Sequence, residues 1–205
     1  DTVYIALPRI QERWSYLLVK SLFDFFFALI GLIVLAIPMA VIALIILIDS
    51  PGGAIFRQER LGKNGKPFVI YKFRTMNIDA EVNGPKWADK EDARCTRFGA
   101  SLRKTRLDEL PQLWNILKGD MSFVGPRPER QYFYEQFEKY IVGFSNRLVV
   151  IPGLTGYAQV NGGYELEPEE KIIYDMEYIE HRSVFLDLKC IAKTISLIFT
   201  HKGAR

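Results

Sequence analysis

Two adjacent carboxylates stand beside a cluster of basic residues in the segment 103–112, RKTRLDELPQ. Asp108 and Glu109 precede Pro111, which suits the first turn of a helix. The N-terminus of a helix offers unpaired N–H groups and a positive dipole end, which favour phosphate or a carboxylate that acts on phosphate. Taken alone, the segment favours a simpler alternative, in which Asp108 is the N-cap of that helix and Glu109 is a first-turn acid.

Three further segments carry residues that suit a phosphate-bearing ligand. Arg127 lies between two prolines, which restrict its backbone and hold the guanidinium ready to clamp a phosphate; a solvated turn is the alternative. Lys72 and Arg74 alternate at the end of a predicted strand, although a charged edge strand is also common. The glycines of segment 152–162 allow a ligand to approach the backbone closely. Together with the two carboxylates, these segments indicate phosphoryl chemistry.

A long apolar run near the N-terminus predicts a membrane anchor. Residues 25–48 carry no charge, and a helix of this length reaches roughly 36 Å, enough to cross a hydrocarbon core of about 30 Å. Pro38 predicts a kink in the middle of the run. Both flanks are basic, and the positive-inside tendency therefore places both in the cytoplasm. We predict a re-entrant helical hairpin; a plain kinked span is the alternative, and a cleaved signal peptide is disfavoured.

Composition excludes several classes of protein. The chain has 205 residues, of which 49% are apolar and 25% are charged, so it is neither disordered nor fibrous. A net charge of +3 is too small for general binding of nucleic acid. The two cysteines and two histidines do not have the spacing of a zinc site, and the cysteine usage predicts a reducing compartment.

The remaining sequence predicts a mostly helical α+β domain. Two apolar segments, 54–58 and 67–72, flank GKNGK and predict a β-hairpin. A surface loop is predicted at 77–97, and helices are predicted at 98–106, 111–118, 167–180 and 184–199.

Two segments carry patterns that suit the membrane interface. The helix at 184–199 is amphipathic, and its apolar face either lies among lipid headgroups or packs on the core. The aromatic segment 129–144 has the same two alternatives. We divide the chain into an N-terminal flank with a membrane helix, residues 1–50, and a catalytic domain, residues 51–205.

The sequence contains no Walker loop, kinase signature or G-x-S-x-G elbow.

Five ordered blocks of the sequence closely resemble the bacterial sugar transferase family, the monotopic phosphoglycosyl transferases. The resemblance runs from about residue 20 to the C-terminus. Its blocks are the anchor with its central proline, YKFRTM (71–76), LDELPQ (107–112), KGDMSFVGPRP (118–128) and PGLTGYAQVNG (152–162).

The resemblance implies a reaction and a location. A sugar phosphate is expected to pass from a nucleotide diphosphate sugar, usually a UDP-sugar, to polyprenyl phosphate such as undecaprenyl phosphate, with release of UMP and a need for Mg²⁺. Such transfers begin polysaccharide, capsule and glycoconjugate synthesis at the cytoplasmic face of the bacterial inner membrane. The implied partners are these substrates, membrane lipids and a second copy of the chain, without nucleic acid. A non-catalytic membrane scaffold that recruits anionic lipid or partner enzymes is the alternative function.

The resemblance also implies roles for individual residues. Asp108 matches the nucleophile, which forms an aspartyl phosphosugar; direct transfer in a ternary complex is the alternative. Glu109 either helps to take the proton from polyprenyl phosphate or contacts Mg²⁺, and both acids are the implied metal contacts. The implied substrate-binding residues are Lys72, Arg74, Arg103 and Arg127 for phosphate and, in the block linked to donor recognition, Gln159 and Asn161.

Two features of the sequence bear on how far the resemblance extends. Gly163 stands where many family members have arginine, so the resemblance does not carry over donor specificity. The Asp1 start and the ending KGAR fit the C-terminal catalytic part of longer members that carry further helices upstream, which is our expectation for the native protein.

Overall fold

The computed structural model of the chain describes residues 2–10, 13–81, 93–162 and 166–200. Helices dominate these ranges and the strands are few and short, which confirms the predicted α+β class. The helices are α1 (Trp14–Val34), α2 (Ala36–Asp49), α3 (Arg97–Thr105), α4 (Gln112–Leu117), α5 (Gln131–Phe137), α6 (Tyr157–Asn161), α7 (Pro168–His181) and α8 (Val184–Thr200). The strands are β1 (Val3–Tyr4), β2 (Ile55–Leu61), β3 (Pro67–Phe73), β4 (Ser122–Val124), β5 (Ile141–Val142) and β6 (Gly153–Thr155).

The described ranges contain three two-stranded sheets. The predicted hairpin is confirmed: β2 and β3 pair antiparallel, from Ile55 opposite Phe73 to Leu61 opposite Pro67. Its turn contains Asn64 and Gly65 in the left-handed region, with φ of 58° and 73°. The other two sheets are parallel pairs, β1 with β5 and β4 with β6. The β4–β6 pair brings the segment before Arg127 next to the glycine-rich segment 152–156.

The predicted helices appear within a few residues of their expected bounds. The aromatic segment 129–144 packs on the core through Tyr134, Phe137 and Phe144, which are buried together, as one of its two alternatives predicted. α8 contributes Cys190 and Ile191 to another apolar cluster and leaves Phe185 exposed. The side chain of Phe199 and residues 82–92 of the predicted loop lie outside the described residues.

The apolar run forms two consecutive helices with a one-residue break between them. α1 ends at Val34 and α2 begins at Ala36, with Leu35 outside helical geometry at φ −91° and ψ 4°. The break falls three residues before Pro38, since a proline cannot donate to the carbonyl of residue 34 and its ring crowds that carbonyl. The effect of Pro38 is thus displaced by nearly one turn toward the N-terminus.

The two apolar helices lie along the rest of the protein. Ala28, in the middle of α1, is fully buried in a cluster with Leu113 and Ile116 of α4. Ile46, near the end of α2, packs with Phe73 and Leu102. Among the described residues, one helix, α1, is long and apolar enough to cross a membrane. The outer faces of both helices are exposed and apolar, through Leu18, Leu22, Phe26, Ile30, Ile33, Ile37, Leu44 and Ile48.

Gly99 permits α3 to pack closely against the end of the hairpin. A Cβ at this position would lie 2.0 Å from the backbone oxygen of Thr75, which cannot move without shifting the chain. We expect Gly99→Ala to lower the free energy of unfolding by about 1–3 kcal/mol or more, as measured by thermal or denaturant unfolding. Gly53→Ala is the control, because no atom lies within 4 Å of its added Cβ. Equal stability of the two variants would contradict this packing.

Candidate active site

The two adjacent acids lie on a single 3₁₀ turn, Leu107–Glu109, between α3 and α4. Arg106 ends α3 in the left-handed region, with φ 57° and ψ 15°, which turns the chain sharply into this segment. The N-cap of α4 is Pro111, and no side chain in the described part of the chain caps that helix. The alternative in which Asp108 caps α4 is therefore wrong.

Glu109 is buried between two cations. Its Oε1 accepts hydrogen bonds from Lys72 Nζ at 2.9 Å and from Arg127 Nη2 at 2.5 Å. Burial raises the pKa of Glu109, but the charges and hydrogen bonds of Arg127 and Lys72 outweigh burial and hold the pKa well below its usual range. Glu109 is thus a fixed carboxylate that orients Lys72 and Arg127.

Asp108 is in a different environment although it is the next residue. It is only 8% exposed and lines a cavity, yet none of the described residues forms a hydrogen bond or ion pair with its carboxylate. Burial and the neighbouring charge of Glu109 raise the pKa of Asp108 to about 6, against the opposing effect of Lys72, Arg103 and Arg127. Asp108 therefore has no fixed partner among the described residues and is open to a ligand in the cavity.

The cavity beside Asp108 is strongly basic. Its volume is about 440 Å³, and the described part of its lining contains nine basic residues and three carboxylates, Asp108, Glu129 and Asp175. A cleft lined mainly by one sign of charge concentrates ligands of the opposite sign. The basic residues are Arg60, Lys72, Arg74, Arg94, Arg103, Arg127, Arg130, Arg147 and Lys171.

The structure brings most of the predicted site residues to this cavity. Lys72, Arg103, Arg127 and Gln159 line it, and Arg103 Nε donates to Thr75 Oγ1 at 3.1 Å. Gln159 is 7% exposed, and its buried Oε1 has no hydrogen-bond partner among the described residues. These four residues come from β3, α3, the loop after β4 and α6, so the cavity is assembled from distant parts of the chain.

Two predicted residues have other contacts. Arg74 lines the cavity, but its Nη2 donates to the backbone oxygen and the Oγ of Ser50 at 2.8 and 2.9 Å, which fastens the end of α2 to β3. Asn161 is exposed at the end of α6, where its Oδ1 accepts from Lys193 at 2.7 Å, and it does not line the cavity.

Arg127 is supported by a buried arginine that the sequence did not single out. Arg147 Nη2 donates to the backbone oxygen of Arg127 at 2.9 Å and lies 2.6 Å from Asp175 Oδ2. Pro126 and Pro128 are both buried, so the alternative of a solvated turn is wrong. These contacts place Arg127 against Glu109.

The chemistry of the site fits a single divalent cation shared with substrate. No group of three or more His, Cys, Asp and Glu able to hold a metal occurs among the described residues. Mg²⁺ is usually held by one or two carboxylates together with substrate phosphates. The unpartnered carboxylate of Asp108 meets this requirement, whereas Oε1 of Glu109 is already occupied by Lys72 and Arg127.

Comparison with known proteins identifies the family. The sequence profile of the bacterial sugar transferases matches residues 15–201. The chain therefore belongs to the bacterial sugar transferase family, a family of enzymes. The predicted resemblance is confirmed over almost the whole of the chain.

Three relatives are similar over different shares of their length. A Bacillus subtilis protein, provisionally named an undecaprenyl-phosphate N-acetylgalactosaminyl 1-phosphate transferase, is 58% identical over 67% of this chain and 77% of its own length. The Aeromonas hydrophila UDP-N-acetylgalactosamine-undecaprenyl-phosphate N-acetylgalactosaminephosphotransferase is 42% identical over 93% of this chain. The Xanthomonas campestris UDP-glucose:undecaprenyl-phosphate glucose-1-phosphate transferase is 41% identical over 94% of it. The chain spans 46% and 41% of the last two relatives.

Proposed function

We propose that this protein transfers a sugar phosphate from a UDP-sugar to undecaprenyl phosphate and releases UMP. The reaction named for the similar proteins supports the substrate classes. The basic cavity supports them independently, since a nucleoside diphosphate and a lipid phosphate are both anionic and need cations around the reacting phosphorus. In cells, this transfer would begin the synthesis of an exopolysaccharide or another glycoconjugate.

One observation supports a covalent route: the two adjacent acids are held differently. Glu109 is fixed by Lys72 and Arg127, while Asp108 has no partner among the described residues and lines the cavity. A nucleophile must present an unoccupied lone pair to the substrate. We infer that Asp108 attacks the β-phosphorus of the donor and that Glu109 positions the two cations.

The proposed reaction has two displacement steps at the same phosphorus. A carboxylate oxygen of Asp108 forms a bond to the β-phosphorus, the bond from that phosphorus to the oxygen shared with the α-phosphate breaks, and UMP leaves. An oxygen of undecaprenyl phosphate then attacks the aspartyl phosphosugar and restores the Asp108 carboxylate. The low pKa of Glu109 makes it a poor proton acceptor, and a phosphate monoester with a second pKa of about 6 needs little help to lose its proton near pH 7.

Removal of divalent metal is expected to stop the reaction. Mg²⁺ would be held by Asp108 and the donor diphosphate, where it neutralises negative charge on the phosphoryl oxygens. We expect chelation with EDTA to reduce UMP release to background and excess Mg²⁺ to restore it. Full activity of the metal-free protein would contradict the assignment of Mg²⁺.

The assay for the overall reaction requires both substrates. We expect UMP and a lipid-linked sugar phosphate to form in equal amounts from a UDP-sugar and undecaprenyl phosphate, and a screen of donors would identify the sugar. A protein that binds the lipid but yields neither product would favour the membrane scaffold instead.

We further propose that the α1–α2 pair is a re-entrant anchor at the cytoplasmic face of the inner membrane. The break at Leu35 and the packing of Ala28 and Ile46 on the catalytic domain support this placement, because a plain transmembrane helix would carry its middle away from the domain. Cysteines introduced before α1, at residues 9–20, and in the turn between β2 and β3, in a background without Cys95 and Cys190, should be labelled from the same side of the membrane. Labelling from opposite sides would favour a plain helix that crosses the membrane.

A further inference from the structure

A second basic groove lies on the surface, and its described lining shares no residue with the described lining of the Asp108 cavity. It has a volume of about 310 Å³ and is lined, among the described residues, by Arg9, Arg13, Glu180, His181, Arg182 and Ser183. Three arginines and one histidine thus accompany a single carboxylate. The Arg9 backbone N–H donates to Glu180 Oε1 at 3.3 Å, which joins the N-terminal segment to the end of α7.

Arg182 has a donor whose hydrogen-bonding capacity is not met. Its Nε is buried and has no hydrogen-bond partner among the described residues, which is unfavourable for a buried polar group. The guanidinium stacks over the ring of Tyr16, with its central carbon 6.0 Å from the ring centroid. This contact fixes the orientation of the guanidinium at the wall of the groove, where its positive charge would attract a bound anion.

The groove lies where two exposed apolar helix faces begin. Trp14 and Leu18 on the first turns of α1 are 76% and 63% exposed, and Phe185 and Leu188 on the first turns of α8 are 79% and 49% exposed. The two helices are joined by the hydrogen bond from Tyr16 Oη to Asp187 Oδ2 at 2.9 Å. Cations next to apolar side chains are typical of a surface that lies at the boundary of a bilayer.

We propose that this groove binds the phosphate of an anionic glycerophospholipid, whose acyl chains lie against the apolar faces of α1 and α8. Guanidinium groups bind phosphate through charge-assisted hydrogen bonds. The adjacent apolar faces select a lipid over free phosphate, since free phosphate gains nothing from them. The inference rests on the proposed membrane association, and the lipid is distinct from both proposed substrates because Asp108 lines a different cavity.

Lipid binding to the delipidated full chain in detergent tests the inference. Native mass spectrometry would follow titration with phosphatidylglycerol, and phosphatidylcholine would be titrated in parallel. We expect one tightly bound phosphatidylglycerol, with its dissociation constant raised about tenfold or more in the Arg13→Gln/Arg182→Gln variant. The matched control is Lys63→Gln/Lys66→Gln, which removes the same charge from exposed hairpin residues and should change the constant less than about twofold.

Four results would overturn the inference. An equal loss of affinity in the Lys63→Gln/Lys66→Gln control would show diffuse attraction only. Displacement of phosphatidylglycerol by inorganic phosphate at equal concentration would show a free-phosphate site, and preferential displacement by undecaprenyl phosphate would show an acceptor site. Loss of Arg182 also removes its contact with the Tyr16 ring, so Arg9→Gln serves as a second variant that leaves this contact in place. An affinity for phosphatidylglycerol that is unchanged in both Arg9→Gln and Arg13→Gln/Arg182→Gln would also overturn the inference.

The catalytic proposal is tested separately. Release of UMP from donor alone should be unchanged in the Arg13→Gln/Arg182→Gln variant, because neither residue lines the Asp108 cavity. Absence of that release in the wild-type protein would refute the catalytic proposal, while the lipid titration would remain informative.

Discussion

Asp108→Asn is expected to abolish the burst of UMP that the protein releases when it is given a UDP-sugar without lipid acceptor. The amide nearly preserves the shape of the carboxylate but has no negative charge with which to attack phosphorus. In a covalent mechanism the nucleophile cannot be bypassed, so we expect the rate to fall roughly 10³-fold or more. Rapid-quench measurement of UMP against enzyme concentration gives the burst amplitude, which should approach one UMP per active wild-type molecule.

Two comparisons make this experiment decisive. Asp120→Asn is the matched control, because Asp120 is an aspartate paired with the surface residue Lys118 and does not line the cavity. Its burst should equal that of the wild type. A full burst from Asp108→Asn would remove Asp108 from the role of nucleophile, and sequential instead of ping-pong kinetics in the wild type would indicate direct transfer in a ternary complex.

Asp175→Asn is expected to lower the free energy of unfolding more than Gly99→Ala or Asp120→Asn. Arg147 and Asp175 are 1% and 2% exposed at their side chains. Removing one partner of a buried ion pair leaves an uncompensated charge and typically costs about 3–5 kcal/mol. Arg147 would keep its stacking on Phe144, at 5.0 Å from the ring centroid, but this contact is too weak to replace the charge of Asp175.

Denaturant unfolding in detergent measures this effect. Asp120→Asn again serves as the control, because the Lys118–Asp120 pair is partly exposed and is expected to contribute at most about 1 kcal/mol. Equal stability of the two variants would contradict the role assigned to the buried pair. Arg147 also holds the backbone of Arg127, so a folded Asp175→Asn protein should turn over more slowly as well.

Local signals in the sequence predicted much of this fold. The hairpin was predictable because GKNGK supplies residues that accept left-handed geometry between two apolar strands. The helices of segments 98–118 and 167–199 follow from their 3.6-residue periodicity. The break in the anchor was predicted at Pro38 but lies before it. A proline disturbs the helical turn that precedes the proline, so α1 ends at Val34.

The composition of the site was only partly predictable, because it depends on contacts between distant residues. Asp108 and Glu109 look equivalent in the sequence, and only the approach of Lys72 and Arg127 distinguishes them. Arg147 and Asp175 were missed because a lone arginine and an acid on a helix are ordinary surface residues until folding buries them together. Asn161 was expected at the donor site from its motif, but α6 places it outside the cavity, against Lys193.

The central claim is that Asp108 carries the phosphosugar during turnover. Its most direct test is mass spectrometry of the protein quenched after incubation with UDP-sugar and Mg²⁺ alone, followed by proteolysis and fragmentation of the peptide that contains residue 108. We predict an added mass of one sugar phosphate on Asp108, which disappears when undecaprenyl phosphate is supplied. An unmodified peptide from a protein that turns over normally with both substrates would contradict the covalent mechanism.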